Sequence, residues 1–245
     1  MNPLILIPAR MASTRLPGKP LADIAGEAMI VRVRRQACAA KAGPVVVAAA
    51  EREIADAIEK VGGRAVLTDP DLPSGSDRIF RALEIIDRES EHDVVVNVQG
   101  DLPVLDPSFI GRVLEALAAT GADIATLAAE IRDEKDRRDP AVVKPIVSWS
   151  RNEKIGRALY FTRAEAPWGD GPLFYHVGIY AFRRPALARF VMLQPSALER
   201  REKLEQLRAL EAGMTIAVGR VDTVPLSIDT EADLEEARRL LARKS

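Results

Sequence analysis

Short apolar runs at residues 4–7, 45–48, 65–67, 94–98 and 124–128 punctuate the first half of the chain, each bounded by turn-forming residues. They are mostly aliphatic and β-branched, as expected of strands buried on both faces. Between them, residues 28–40, 54–61, 78–88 and 109–119 place apolar side chains at helical spacing. This alternation predicts right-handed crossovers and an α/β fold, a mostly parallel twisted sheet with helices on both faces. In such sheets ligands bind beyond the carboxyl ends of the strands, so the post-strand segments are the places to search.

Past residue 140 the rhythm changes. Residues 142–148, 158–162 and 175–182 read as strands without intervening helices, which predicts antiparallel additions at about 140–185 within a single domain over 1–245. The stretch "QPSALERREKLEQLRALEAG" then reads as one helix, opened by a Ser196–Glu199 capping box and closed by Gly213. A last strand at 215–218 precedes "SIDTEADLEEARRLLARKS", a helix capped by Thr230 and Asp233 and ending in basic residues suited to its C-terminus.

Charge changes this picture only locally. The 35 basic and 36 acidic residues leave a net charge of −1, which gives no reason to expect nucleic acid or an anionic membrane as partner. No apolar run approaches the ~18 residues of a membrane span, and the N-terminus lacks a secretory pattern. Cys38 is the single cysteine, so intrachain disulfides and thiolate zinc clusters are excluded, and a reducing cytoplasm is expected. Cys38 itself reads as a small packing residue, as do Trp149 and Trp168, while His92 between Glu91 and Asp93 reads as structural.

Against that neutral background, "PARMASTRLPGKP" (8–20) sets three cations and no acid directly after the first strand. It is neither a Walker loop nor a dinucleotide fingerprint. Pro17 and Gly18 enforce a turn, and Arg10, Arg15 and Lys19 together suit the oxygens of a triphosphate. "VVVNVQGDLP" delivers Gln99, Gly100 and Asp101 to another strand end. A carboxylate there suits Mg2+, which prefers one or two acids together with phosphate oxygens. Asp229, between a strand and a capped helix, is the candidate second ligand. "PSGSDRI" adds Ser74, Ser76 and Arg78 at a strand-to-helix junction, either as a helix cap or toward a base or ribose.

Seven segments in order, "IPARMASTRLPGKPL", "TDPDLPSGSDRI", "VVNVQGDLP", "ALYFTRAEAPW", "YHVGIYAF", "QPSALERREKLEQLR" and "IDTEADLE", resemble the sugar-acid cytidylyltransferases over essentially the whole chain. Among these, the branch acting on 3-deoxy-D-manno-octulosonate (Kdo) is the nearest in pattern. The resemblance implies a nucleotide-diphospho-sugar transferase-like fold with an antiparallel dimerisation sub-domain, and a homodimer. The implied reaction is CTP plus Kdo giving CMP-Kdo and pyrophosphate, with Mg2+ required, for lipopolysaccharide synthesis in the cytoplasm.

Carried over by motif, Arg10, Arg15 and Lys19 hold the CTP phosphates, and Asp101 and Asp229 hold metal. Ser74, Arg78, Gln99 and backbone near Ala9 shape the cytidine pocket. Arg163, His176, Glu205 and Gln206, with Tyr160 and Tyr180, meet the sugar acid, Arg163 facing its carboxylate. The chain departs from many relatives at Ala49-Ala50, where they have Thr-Asp, and at Leu102, where they have an acid. The sugar therefore stays open between Kdo, 8-amino-Kdo and another acidic sugar. A nucleotide-binding regulator without catalysis is the alternative of a different class, and retention of Asp101 and Asp229 counts against it.

Overall fold

The computed structural model describes residues 1–13, 15–152 and 154–242, so the terminal basic residues Arg243 and Lys244 lie outside the described residues. In chain order the first elements are β1 (Pro3–Ala9), a one-turn 3-10 helix (Lys19–Leu21), β2 (Asp23–Ile24), β3 (Glu27–Ala28) and α1 (Met29–Ala39). There follow β4 (Val45–Ala49), α2 (Arg52–Glu59), β5 (Arg64–Leu67), α3 (Gly75–Ile86), β6 (Val94–Asn97) and α4 (Ser108–Thr120). Next come β7 (Ile124–Glu130), α5 (Glu134–Arg138), β8 (Lys144–Trp149), β9 (Ile155–Thr162), β10 (Phe174–Arg183) and α6 (Arg184–Met192). The chain continues through α7 (Ala197–Glu202), α8 (Leu207–Glu211), β11 (Ile216–Val221) and α9 (Glu231–Ala242). The chain divides into two compact units, Met1–Ile110 with Pro225–Ser245, and Gly111–Val224.

The first unit is a mixed α/β layer with strands in the order β5-β4-β1-β6, every pair parallel. Helices α1, α2 and α3 pack against it. Leu4, Ile5, Leu6 and Ile7 are all essentially inaccessible, which explains why β1 reads as an unbroken apolar run rather than an alternating one. At the carboxyl end of β6 an added Cβ on Gly100 would lie 2.8 Å from the Pro8 carbonyl oxygen, so only glycine lets this turn approach β1.

The second unit has the order β10-β7-β11-β9-β8. Only the β11–β7 pair is parallel, and β10–β7, β11–β9 and β8–β9 are antiparallel. The β-rich stretch expected at 140–185 falls within this unit as β8 to β10. The Asp123 carboxylate accepts from Thr215 N and Oγ1 at 2.8 and 2.9 Å and aligns the starts of β7 and β11.

Three local expectations are corrected. The single helix expected over "QPSALERREKLEQLRALEAG" is two helices, α7 and α8, because Lys203 turns left-handed at φ 56. Arg163, directly after β9, binds a carbonyl freed there: its Nε donates to Glu202 O at 2.8 Å. Cys38 is exposed rather than packed, on the outer face of α1. Trp168 is fully exposed in the β9–β10 connection, whereas Trp149 does pack, its ring centroid 4.8 Å from that of Phe174.

Candidate active site

The basic loop after β1 folds back on itself. Gly18, at φ 72, donates its N–H to Met11 O at 3.2 Å, and Met11 N is held by Glu51 Oε2 at 2.9 Å. Glu51 lies just beyond the end of β4, where the strand-end rule would have flagged it, yet no motif marked it. The loop opens onto a cavity of about 390 Å³ at the carboxyl ends of the first unit's strands. Ala9, Arg10, Arg15, Lys19, Ser74, Arg78, Gln99 and Asp101 all line it, so eight predicted positions from three separate segments share one space.

Three of its lining residues, Arg15, Lys19 and Asp101, form an ion cluster with Asp229. Lys19 Nζ lies 2.8 Å from Asp101 Oδ2 and 3.3 Å from Asp229 Oδ1, and Arg15 Nη2 lies 3.1 Å from the same Asp229 oxygen. Backbone bonds hold the two acids together, since Ile228 N donates to Asp101 O at 3.0 Å. Asp233 Oδ2 takes Asp229 N at 3.0 Å and Thr230 N at 2.8 Å, which leaves the Asp229 carboxylate to the cations. Burial pushes the Asp233 carboxyl up, but these bonds and the Thr230 hydroxyl outweigh it and hold the group below its ordinary range.

Arg78 is only 2% exposed. Its guanidinium donates to Thr68 Oγ1 at 2.7 Å, Asp69 O at 2.9 Å and Pro70 O at 3.1 Å, so it ties down the β5–α3 loop. Burial, and next the charge of Arg10, pull it below the ordinary arginine value against Glu51 and Asp69. Ser74 is the cap of α3, accepting from Asp77 N at 3.2 Å, and it also faces the cavity. Gln99 Nε2 makes a long 3.4 Å contact to Asn97 Oδ1. Ala49 and Ala50 are buried at the end of β4, and neither lines the cavity, so that departure from the family pattern falls in the core.

A separate group sits at the opposite end of β6, where Asp87, Glu91 and His92 place ligand-type atoms within 4.8 Å of one another. Both Asp87 oxygens accept backbone N–H groups, from Glu91 at 2.9 Å and His92 at 3.1 Å, so this carboxylate serves the turn.

In the second unit the structure gathers two sets. His176 Nε2 lies 2.9 Å from Thr126 Oγ1, and its ring stacks edgewise on Phe161 and Tyr180 at 5.1 and 5.5 Å. The Thr126 hydroxyl has one proton and reaches the carbonyls of Ile179 and Val177 at 2.9 and 3.2 Å, so Nε2 is the protonated nitrogen that donates to it. Burial pulls His176 from 6.5 down to about 4. Burial, then Glu205, pushes the Tyr180 phenol up.

The second set centres on Glu202, which nothing in the sequence singled out. Its carboxylate accepts from Thr162 Oγ1 at 2.8 Å, Arg163 N at 3.0 Å and Tyr160 OH at 3.5 Å. Arg163 returns donors to Glu202 O at 2.8 Å, Pro140 O at 2.9 Å and Lys203 O at 3.5 Å. Its guanidinium thus grips the α7 turn. Fully buried Lys144 donates to Asp139 O at 2.6 Å and Arg163 O at 3.3 Å, and burial lowers its pKa. Glu199 and Arg208 form a two-pronged ion pair that locks α7 to α8. Gln206, on the same segment, is buried with its Nε2 unpartnered. None of these residues lines the wider opening of about 680 Å³ in this unit, which is bordered by Trp149, Arg157 and Thr215.

The His176 environment makes a prediction. Below pH 6.5 the unfolded chain binds a proton that the folded protein refuses until about pH 4. Stability is therefore lost as pH falls through that window, by up to about 3 kcal/mol. Urea unfolding at pH 7.5 and 4.5 should show a smaller acid loss in His176→Gln than in the parent. Equal losses would remove His176 as a source.

Residues 4–216 match the profile of a family described as Cytidylyltransferase. A 3-deoxy-manno-octulosonate cytidylyltransferase of Parvibaculum lavamentivorans is 64% identical over 244 residues, covering 100% of this chain and 94% of that protein. One of the same description from Rhodospirillum centenum is 64% identical over 240 residues, 98% of this chain and 93% of that protein. Among solved structures, a CMP:2-keto-3-deoxy-manno-octonic acid synthetase complexed with CTP superposes with TM-score 0.92 at 35% identity, covering 100% of both chains. A 4-diphosphocytidyl-2C-methyl-D-erythritol synthase from Anaerococcus prevotii, at 12% identity and TM-score 0.67 over 99% of each chain, shares the fold.

Proposed function

This chain belongs to the cytidylyltransferase family, and on that premise we propose that it transfers CMP from CTP to Kdo, releasing pyrophosphate. The product is the activated sugar consumed in lipopolysaccharide inner-core synthesis, and we place the reaction in the cytoplasm. Among the described residues no helix is long and apolar enough to cross a membrane. The observation that carries the reading is the meeting of Arg15 and Lys19 with Asp101 and Asp229, at the edge of a cavity that Arg15, Lys19 and Asp101 line together with Arg10 and Arg78.

In this reading Arg10, Arg15 and Lys19 hold the triphosphate, and Ser74, Arg78, Gln99 and the Ala9 backbone frame the cytidine. Two carboxylates already converging on one ammonium present hard oxygen donors at a place where a cation is stable, which fits Mg2+. Mg2+ held by Asp101 and Asp229 would neutralise charge developing on the phosphates. The protein's own part is positioning: the sugar's anomeric hydroxyl must face the α-phosphorus in line with the departing pyrophosphate, and the cations stabilise that departing charge. No protein nucleophile is required.

His176, Tyr160, Tyr180, Arg163, Glu205 and Gln206 form the sugar-acid set. Gln206 supports it most directly, because a buried amide N–H without a partner is costly unless a ligand oxygen meets it. Neutral His176 orders the aromatic wall, and Arg163 fixes the turn that carries Glu205 and Gln206. We also read the antiparallel β8–β9 pair, with Leu159 and Trp168 exposed, as the surface on which two copies pair. A monomer in sedimentation would remove that last element.

The deciding experiment follows pyrophosphate release with CTP and Mg2+ against Kdo, 8-amino-Kdo and N-acetylneuraminate. Release with Kdo is expected to exceed the others. No release with either Kdo sugar would overturn the assignment.

A further inference from the structure

In this structure Lys19 occupies the position that the proposed reading gives to a metal. Its ammonium bridges Asp101 and Asp229, and Arg15 supports the second acid, so two carboxylates and two cations form a closed, neutral group. Adding a divalent cation to that group would leave it strongly positive. Adding a polyphosphate beside it would leave it negative.

We propose that Lys19 is an internal counter-cation that makes metal binding at Asp101 and Asp229 conditional on nucleotide. Without nucleotide the ammonium holds both carboxylates. When a triphosphate enters, Lys19 and Arg15 have a second anion to share, and the acids are released to a divalent cation. The backbone favours this exchange over a loop rearrangement. Lys19 begins a 3-10 turn fixed between Gly18 at φ 72 and buried Pro20, so its four-carbon stem is the part that moves. Lysine also suits the task by type, since a guanidinium would grip the two carboxylates as a fork, whereas an ammonium is a point charge on a flexible stem. By linkage, nucleotide tightens metal to the extent that metal tightens nucleotide.

This inference rests on the reading of Asp101 and Asp229 as metal ligands, and the test separates the two. Mn2+ binding is measured by electron paramagnetic resonance on nucleotide-free protein. The parent is expected to bind weakly, and Lys19→Gln at least about tenfold more tightly, within the span usual for coupled sites. Adding Asp101→Asn to Lys19→Gln should abolish the gain. Lys19→Gln binding no more tightly than the parent would overturn the exchange.

If Mn2+ binding to the CTP-loaded protein is the same in Asp101→Asn and the parent, the metal pair itself fails. If Asp101→Asn loses that binding while Lys19→Gln gains none, only the exchange fails. Should Lys19→Gln not fold, Lys19→Arg replaces it. The bidentate fork is then expected to weaken Mn2+ binding in the CTP-loaded protein several-fold, and binding equal to the parent's would overturn the proposal.

Discussion

Asp101→Asn is expected to lower turnover by about 10²- to 10³-fold, the usual cost of removing one electrostatic contributor to a transition state. The substitution keeps the side chain's shape and removes its charge. In the fold Asp101 meets Lys19 at 2.8 Å in a part-exposed position, so the lost ion pair costs about 1 kcal/mol or less. That corresponds to a melting shift of roughly 2–4 °C for a chain of this size. The two effects separate chemistry from folding: pyrophosphate release should collapse while the circular dichroism spectrum stays that of the parent. Activity within a few-fold of the parent would remove Asp101 from the machinery.

Much of this site is legible in the sequence itself. The apolar run through Leu4–Ile7 announced a strand buried on both sides, and the strand-end rule then directed attention to the basic loop, to Asp101 and to Ser74. What the sequence could not show was how separate segments neutralise one another. Lys19 and Asp101 are 82 residues apart and Lys19 and Asp229 are 210 apart, so a cation read toward phosphate and acids read toward metal turn out to hold each other.

The break between α7 and α8 was hidden for the same reason. Helical periodicity runs straight through Lys203, while the turn there places the Glu202 and Lys203 carbonyls where Arg163, following β9, donates to both. For Arg163 the sequence shows the charge expected to meet a carboxylate and not the backbone oxygens of Glu202, Pro140 and Lys203 that the guanidinium also holds. Trp168 and Cys38 erred in the opposite direction. Residue type argued for burial, and local geometry put both at the surface.

Arg78 is where the contrast between charge and placement has its largest expected consequence for stability. Read as a nucleotide contact, it would tolerate replacement in the folded protein and fail only with CTP. The structure gives it three acceptors on one loop, buried Thr68 Oγ1 and the carbonyls of Asp69 and Pro70, all bonded to a guanidinium that is itself buried. Arg78→Met keeps apolar bulk but leaves those acceptors unmet, at a cost of about 3–5 kcal/mol, since bonds from a charged donor are among the stronger ones. The melting temperature should fall by roughly 10 °C. Because the freed loop leads into Ser74 and Gly75 on the cavity wall, the KM for CTP should rise with it. Arg78→Lys should fall between, as an ammonium lacks the planar fork that reaches separate acceptors. Exposed Arg10 is the control. Arg10→Ala should weaken CTP use with little change in melting, because its guanidinium faces the cavity rather than the fold. If Arg78→Met melts within 2 °C of the parent, a range small against the ~10 °C expected, its bonds to the loop are not what hold the nucleotide wall in place.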